Sequence, residues 1–215
     1  MKFAGLVMAG GKGSRLEINI EKPLLSICGV SMLERVVGAL RNSKYITSIF
    51  VTVTQWTPNT KRRAEELGLN VIETRGLGYV DDLREALKIL WRRYYYREVV
   101  VVNSDIPLLN GSVVDEVITF YINSGAEALT VVIEVDSYTK LGFKADYQFE
   151  HQGIVVAPVG LNVVRADLVK NEELLREVVY VHPMTELLVN VNTISEAKKA
   201  EELLMKRRSC YNSIT

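Results

Sequence analysis

The run Glu98-Val99-Val100-Val101-Val102 limits the folds open to this 215-residue chain more than any other segment. Successive residues of a strand point to opposite faces, so four valines in a row make a strand that is apolar on both sides. Such a strand belongs inside a sheet whose two faces are both covered, which is the situation of parallel sheets. The segments before it agree. Phe3 to Met8 is a second apolar run, Ile49 to Thr54 is rich in β-branched residues, and Asn70 to Glu73 reads as a short strand. Between them lie helical patterns. Ser31 to Asn42 carries Met32, Val36, Val37 and Leu40 at helical spacing, with Ser31 as N-cap and Glu34 completing a capping box. Thr57-Pro58 opens a helix reaching about Leu67 that Gly68 ends, and Tyr79 to Tyr94 places Leu83, Leu87 and Leu90 on one face. This alternation predicts right-handed βαβ units in a three-layer α/β/α fold with a mostly parallel central sheet.

The second half is less regular. Ser112 to Asn123 reads as a helix and Ala128 to Val135 as a strand, followed by a polar, aromatic-containing excursion over 136–152. Ile154 to Val164 returns to strand character around Pro158 and Gly160. Leu187 to Val191 reads as a short apolar strand, and Ser195 to Arg208 as an amphipathic helix that starts after Thr193. The simplest organisation is one α/β domain over 1–215 with an insertion at 136–152.

Bulk properties exclude several classes. Lysine and arginine number 26 against 26 aspartates and glutamates, so the basic face of a nucleic-acid scaffold is not expected. Arg92-Arg93-Tyr94-Tyr95-Tyr96-Arg97, at a helix end, reads as partly packed surface. Cys28 and Cys210 have no paired spacing and read as reduced thiols. No apolar run approaches the about 20 residues of a membrane span, so a soluble, cytoplasmic protein is expected. A homodimer is one assembly open to such a chain.

The chemistry concentrates where strands end. Phe3 to Met8 empties into Ala9-Gly10-Gly11-Lys12-Gly13-Ser14-Arg15, followed by Glu21-Lys22-Pro23-Leu24. Glycines let backbone N–H groups converge on an anion, and Lys12, Arg15 and Lys22 add mobile positive charge. The loop is not a P-loop, which would require Gly at position 6 and a hydroxyl at 13, where Leu6 and Gly13 stand. Nor is it the dinucleotide fingerprint, because Leu16 replaces the third glycine. Asp105, directly after the valine strand and before Pro107, is placed to hold a hard cation such as Mg²⁺ beside a phosphate. Asn190 and Asn192 follow the apolar Leu187-Leu188-Val189. Either can add an oxygen ligand, while Asn192 or Thr193 can equally cap the last helix. Between a strand and a helix, Gly76 and Gly78 let backbone approach a flat base. Asp81 or Asp82 can pair with adjacent ring donors or merely favour the first helical turn. His151 and His182 are far apart and lack catalytic spacing.

Gly-Gly-x-Gly-Ser-Arg-Leu followed by Lys22-Pro23-Leu24, together with Ser104-Asp105 and the order of elements, resembles the MobA-like nucleotidyltransferases. More narrowly, Gly78-Tyr79-Val80-Asp81-Asp82-Leu83, the segment from Gly153 to Val164, and Val191-Asn192-Thr193 followed by Ala200-Glu201-Glu202-Leu203-Leu204 are similar to the archaeal GTP:adenosylcobinamide-phosphate guanylyltransferases. The likeness covers nearly the whole chain and is weakest over 136–152. It implies a Rossmann-like nucleotidyltransferase fold and transfer of GMP from GTP to adenosylcobinamide phosphate, with Mg²⁺ as cofactor and pyrophosphate as product. By the same likeness Arg15, Lys22 and Asp105 serve catalysis. Met8, Ala9, Gly10, Gly11, Lys12, Gly13, Ser14, Gly78 and Asp82 bind the nucleotide. Asp105 and Asn192 hold the metal, and 136–152 lies on the acceptor side. A molybdopterin or sugar phosphate as acceptor, or a GTP-binding module without turnover, are the competing expectations.

Overall fold

The computed structural model describes residues 1–13, 20–169 and 175–207. Its centre is an eight-stranded sheet built from β1 (Phe3–Met8), β4 (Ile46–Val53), β5 (Asn70–Glu73), β6 (Glu98–Asn103), β7 (Ala128–Glu134), β8 (Phe149–His151), β9 (Ile154–Arg165) and β10 (Glu177–Val181). The order is β10-β7-β9-β6-β1-β4-β5, with β8 paired to β9. A small hairpin, β2 (Ser26–Ile27) and β3 (Val30–Ser31), stands apart. The helices are α1 (Met32–Arg41), α2 (Pro58–Glu66), α3 (Tyr79–Tyr94), α4 (Gly111–Ser124), α5 (Val135–Lys140) and α6 (Ile194–Lys206).

The valine strand lies where its composition demands. β6 pairs in parallel with β1, and Val99 to Val102 are fully buried, alternate residues entering two different cores. Val100 and Val102 meet a core to which α1, α2, α4, α5 and α6 contribute. Val99 and Val101 meet a smaller one whose helical side chains come from α3, namely Ala86, Leu87 and Leu90. At roughly 2 kcal/mol for each fully buried aliphatic side chain, the four valines together contribute about 8 kcal/mol of hydrophobic stabilisation.

β9 reverses the sheet. It runs antiparallel to β6, β7 and β8, while the other pairings are parallel. Its pairing with β7 shifts register between Thr130 and Val132, beside Pro158 and Gly160, the residues that interrupt its apolar run. With α3 on the sheet's second face over β1, β4 and β6, the same face of β7, β9 and β10 borders an open groove.

Several expectations change. Leu187 to Val191 is not a strand: its apolar side chains are buried, but its backbone forms a 3₁₀ turn at Thr185–Leu187 and sends the Val191 N–H to the Asp105 carbonyl at 2.9 Å. β10 at Glu177–Val181 has no counterpart in the sequence reading, and the excursion contains α5 and β8. Ser31 does cap α1, accepting from the Glu34 N–H at 3.2 Å. The Glu34 carboxylate, however, takes the Ser31 hydroxyl and the Arg63 guanidinium instead of closing a capping box. Cys28 is disulfide-bonded rather than reduced; Cys210 lies outside the described residues. Tyr94 and Tyr96 pack edge-on against Phe50, so that aromatic cluster is structural. Among the described residues, no helix is long and apolar enough to cross a membrane.

Candidate active site

A cleft of about 570 Å³ opens at the carboxyl ends of β1, β4, β5 and β6. Met8, Ala9, Gly10, Gly11, Lys12, Gly13, Lys22, Gly78, Asp82, Asp105 and Asn192 all line it. The sequence reading had gathered these residues from five separate segments. Ser14 and Arg15 lie outside the described residues.

The floor is the glycine loop. Ala9 N–H reaches Thr52 through its carbonyl and its hydroxyl, each at 3.2 Å, and the Gly10 carbonyl accepts from the Thr54 hydroxyl at 2.7 Å. A Cβ on Gly10 would lie 2.6 Å from Thr54 Cγ2, so close seating against β4 requires glycine there. The base of Lys22 is fixed from the other side. The Glu21 carboxylate accepts from the N–H groups of Asn59 and Thr60 at 2.8 and 2.6 Å, using the unpaired first turn of α2 as its anchor. Pro23 then starts a 3₁₀ turn, Lys22–Leu24.

Held in this way, the Lys22 ammonium reaches two oxygens at once, Asp105 Oδ2 at 2.5 Å and Asn192 Oδ1 at 2.7 Å. Both side chains of the ion pair are mostly buried, at 17% and 14% exposure, so it is screened far less than a surface pair. The sequence had left Asn190 open beside Asn192, which the resemblance favoured as Asp105's companion, and the two side chains differ in geometry. Asn190 Nδ2 donates to Asp105 Oδ1 at 3.0 Å and to the Val159 carbonyl at 3.1 Å. A carbonyl only accepts, so this bond fixes the amide with its nitrogen towards Asp105, and Asn190 orients the carboxylate. Thr193, not Asn192, caps α6 through a complete capping box with Glu196. That leaves the Asn192 oxygen to face the cation.

The far wall is built by the Thr74 to Asp82 segment. Asp82 Oδ1 accepts from Gly76 N–H at 2.9 Å, which ties the loop to the start of α3 and leaves the second carboxylate oxygen for other donors. Asp82 is buried and lines the cleft; Asp81 is exposed and does not. Gly76 has φ +71° with the Trp56 indole beside it, and Gly78 has φ +127°. Trp56, on the turn after β4, is 44% exposed, and the Lys12 ammonium sits 4.3 Å from its ring. Neither Trp56 nor Tyr79, which also lines the cleft, was singled out from sequence, although Trp56 follows the carboxyl end of a parallel strand just as Asp105 does. Desolvation at the cleft wall and the Asp105 charge push the phenol of the half-exposed Tyr79 up to about 12, so at neutral pH it is a protonated donor, as an unperturbed tyrosine would also be.

A second cleft of about 170 Å³ adjoins the first across Asn103, Asp105 and Asn192. Its other walls come from α5, the segment from Lys144 to Tyr147, and Ala157 to Gly160 of β9. Asn103, missed from sequence, lies between the two clefts, pressed against Gly160, and its Oδ1 is buried without a hydrogen-bond partner among the described residues. His182 is buried near Glu116 and takes no part in either cleft. No group of three or more histidine, cysteine, aspartate or glutamate side chains among the described residues forms a closed metal site.

A mostly parallel sheet with a glycine-floored cleft at its strand ends, and a second cleft meeting it at one carboxylate, is the architecture in which a nucleotidyltransferase can bring two substrates together. The chain belongs to the MobA-like NTP transferase family, whose domain matches residues 5–204. It is 31% identical over 211 residues to the adenosylcobinamide-phosphate guanylyltransferase of Methanocaldococcus jannaschii, covering 94% of this chain and 97% of that one. The bifunctional protein GlmU of a Synechococcus strain is 26% identical over 144 residues, covering 65% of this chain and 31% of the relative. Among solved structures, the fold resembles CMP:2-keto-3-deoxy-manno-octonic acid synthetase complexed with CTP, with a TM-score of 0.70, 14% identity, and coverage of 96% and 100%. It also resembles 4-diphosphocytidyl-2C-methyl-D-erythritol synthase, with the same score and identity and coverage of 94% and 98%.

Proposed function

We propose that this chain transfers the guanylyl group of GTP to adenosylcobinamide phosphate, giving adenosylcobinamide-GDP and pyrophosphate. The observation that carries the reading is the convergence of Asp105, Asn192 and Lys22 between two clefts. The near-full-length likeness to the archaeal guanylyltransferase supports the choice of substrates. Chemically, an oxygen of the acceptor phosphate attacks the α-phosphorus. The bond from that phosphorus to the β-phosphate oxygen breaks, and pyrophosphate leaves. A phosphate monoester has a second pKa of about 6, so the nucleophile is already largely dianionic and needs no general base. The two histidines therefore have no role in the transfer step.

What the protein must supply is alignment of two anions and compensation of their charge. In this reading the amides of Gly10 to Gly13 cradle the triphosphate, with Lys12 and Arg15 beside it. Lys22 turns its ammonium towards the reacting phosphates. Asp82 uses its remaining oxygen for guanine N–H donors, with Trp56 and the Gly76–Gly78 backbone as flat walls. Asp105 Oδ2 and Asn192 Oδ1 are hard oxygens that already converge on one cation, the Lys22 ammonium, and this donor set suits Mg²⁺, which keeps waters and takes substrate phosphates as further ligands. Mg²⁺ bound there supplies positive charge to the α-phosphate and the departing pyrophosphate. Asn190 holds the carboxylate still.

The direct experiment incubates the protein with GTP, Mg²⁺ and adenosylcobinamide phosphate and identifies the product by mass, with molybdopterin and sugar phosphates as parallel acceptors. Asp105→Asn and Lys22→Met should each lower transfer by about 10²-fold or more. Near wild-type transfer in either variant refutes these roles. A product formed only with another acceptor, or none with any, refutes the function.

A further inference from the structure

Beyond the second cleft the sheet itself continues. A groove of about 650 Å³ is lined by Thr130 of β7, Pro158, Gly160 and Asn162 of β9, Glu177 and Val179 of β10, and the rings of Tyr79, Tyr147 and Phe149. These strand residues share one face of the sheet, the face opposite the larger core, and the groove runs along it. The groove shares Tyr79 and Asn103 with the nucleotide cleft, and Asn103, Tyr147, Pro158 and Gly160 with the second cleft. The three spaces are therefore continuous. The smallest, a neck of about 170 Å³ beside Asp105, adjoins both the nucleotide cleft of about 570 Å³ and the groove of about 650 Å³, which also meet each other at Tyr79 and Asn103.

From this arrangement we infer a bipartite acceptor site. Lys144 holds the acceptor's phosphate in the neck, and the Tyr147 and Phe149 rings with the bare face of β7, β9 and β10 carry a large, partly apolar body joined to that phosphate by a short linker. Lys144 is the cation lining the neck among the described residues, facing a space that the Asp105 and Asp146 carboxylates also line, and no described side chain forms an ion pair with it. A dianionic phosphate beside Asp105 needs such a counter-charge. The neck is too small for more than a phosphate and a short arm, whereas the outer groove lies in the 300–1,000 Å³ range of sites for whole small molecules. Tyr147 is 65% exposed, and its ring lies 6.0 Å from that of Phe149 at 33°, so the two offer an open aromatic shelf. An apolar ring system set on it covers surface that is otherwise wet.

This inference deepens the proposed function and rests on it for the identity of the acceptor. Its test measures transfer kinetics with adenosylcobinamide phosphate and inhibition by two fragments, a short alkyl phosphate and the unphosphorylated corrinoid. Lys144→Gln should raise the acceptor KM and the inhibition constant of the alkyl phosphate about tenfold, leaving the unphosphorylated corrinoid unaffected. Tyr147→Ala should do the reverse, raising the acceptor KM and the corrinoid inhibition constant about fivefold and sparing the alkyl phosphate. In both variants the KM for GTP stays within about twofold, an outcome that a general structural defect does not produce. If the protein uses adenosylcobinamide phosphate and neither variant changes its KM, the bipartite site is wrong and the function stands. If wild type rejects the corrinoid but uses another phosphorylated acceptor whose KM rises in both variants, the function is wrong and the site stands.

Discussion

Gly160→Ala offers a quantitative test of how the two clefts are held apart. Gly160 lies in the middle of β9 at φ +74°, and a Cβ built there falls 2.2 Å from Asn103 Nδ2 and 2.5 Å from Asn103 Cγ. Two costs add. Holding a residue with a Cβ in left-handed backbone costs about 1–2 kcal/mol, and forcing extra volume into a packed contact costs about 1–3 kcal/mol. The sum, about 2–5 kcal/mol, corresponds to a fall in Tm of roughly 5–15 °C for a chain of this size. Differential scanning fluorimetry on the ligand-free protein reads it directly. The reasoning also predicts a rescue. Asn103→Ala removes the amide that the new methyl meets, and its Oδ1 has no hydrogen-bond partner to lose among the described residues. The single Asn103→Ala variant should therefore change Tm little, and the Gly160→Ala/Asn103→Ala pair should regain the steric part while keeping the backbone cost. A Gly160→Ala protein melting within about 1 °C of wild type refutes the argument, as does a double variant no better than the sum of its singles.

Two further expectations concern other parts of the fold. Glu21→Ala removes the carboxylate that satisfies the Asn59 and Thr60 amides, so it should lower stability by about 1–2 kcal/mol in urea titration. Glu21→Gln, which keeps an acceptor but loses the charge, should recover part of that, and an unchanged Glu21→Ala midpoint removes the anchoring role assigned to this residue. Burial holds the His182 imidazole below its ordinary value of 6.5, against the opposing pull of Glu116 and Glu186. The unfolded chain therefore takes up this proton at a higher pH than the folded one does. The His182 contribution to stability is complete above about pH 6.5 and is lost as pH falls through the lower, folded value, by at most about 1.4 kcal/mol per pH unit. His182→Gln, which can still accept the Met184 N–H, should flatten that part of the pH–stability curve; identical curves refute the assignment.

The first cleft was legible as a cluster because most of its residues lie at or just after strand ends. Gly10 and Asp105 each sit within two residues of the end of an apolar strand, and Gly78 in the loop between β5 and α3, and parallel strands put such ends on one edge. The second cleft was legible only in part: the 136–152 stretch, set apart in the sequence, supplies some of its wall, but the elements around it were not foreseen. Glu177–Val181 forms an edge strand too short and too polar at its start to stand out, and Leu187 to Val191 is apolar because it is buried, not because it is paired. Periodicity reports burial and cannot distinguish these two cases in a run of five residues. The choice between Asn190 and Asn192 was likewise hidden, since it depends on the Val159 carbonyl, 31 residues away. The reversal of β9 left no local trace, because strand direction is a property of neighbours.

That reversal divides the labour of the chain by position along it. The first cleft is lined by residues from Met8 to Asp105, with Asn192 added, whereas the second cleft takes its own walls from Ile133 to Asn190. Because β9 turns back to lie against β6, the later stretch reaches the shared carboxylate without interleaving with the earlier one. The second cleft can therefore be reshaped by substitutions in the later stretch that leave the first cleft's own lining residues, from Met8 to Tyr79, in place.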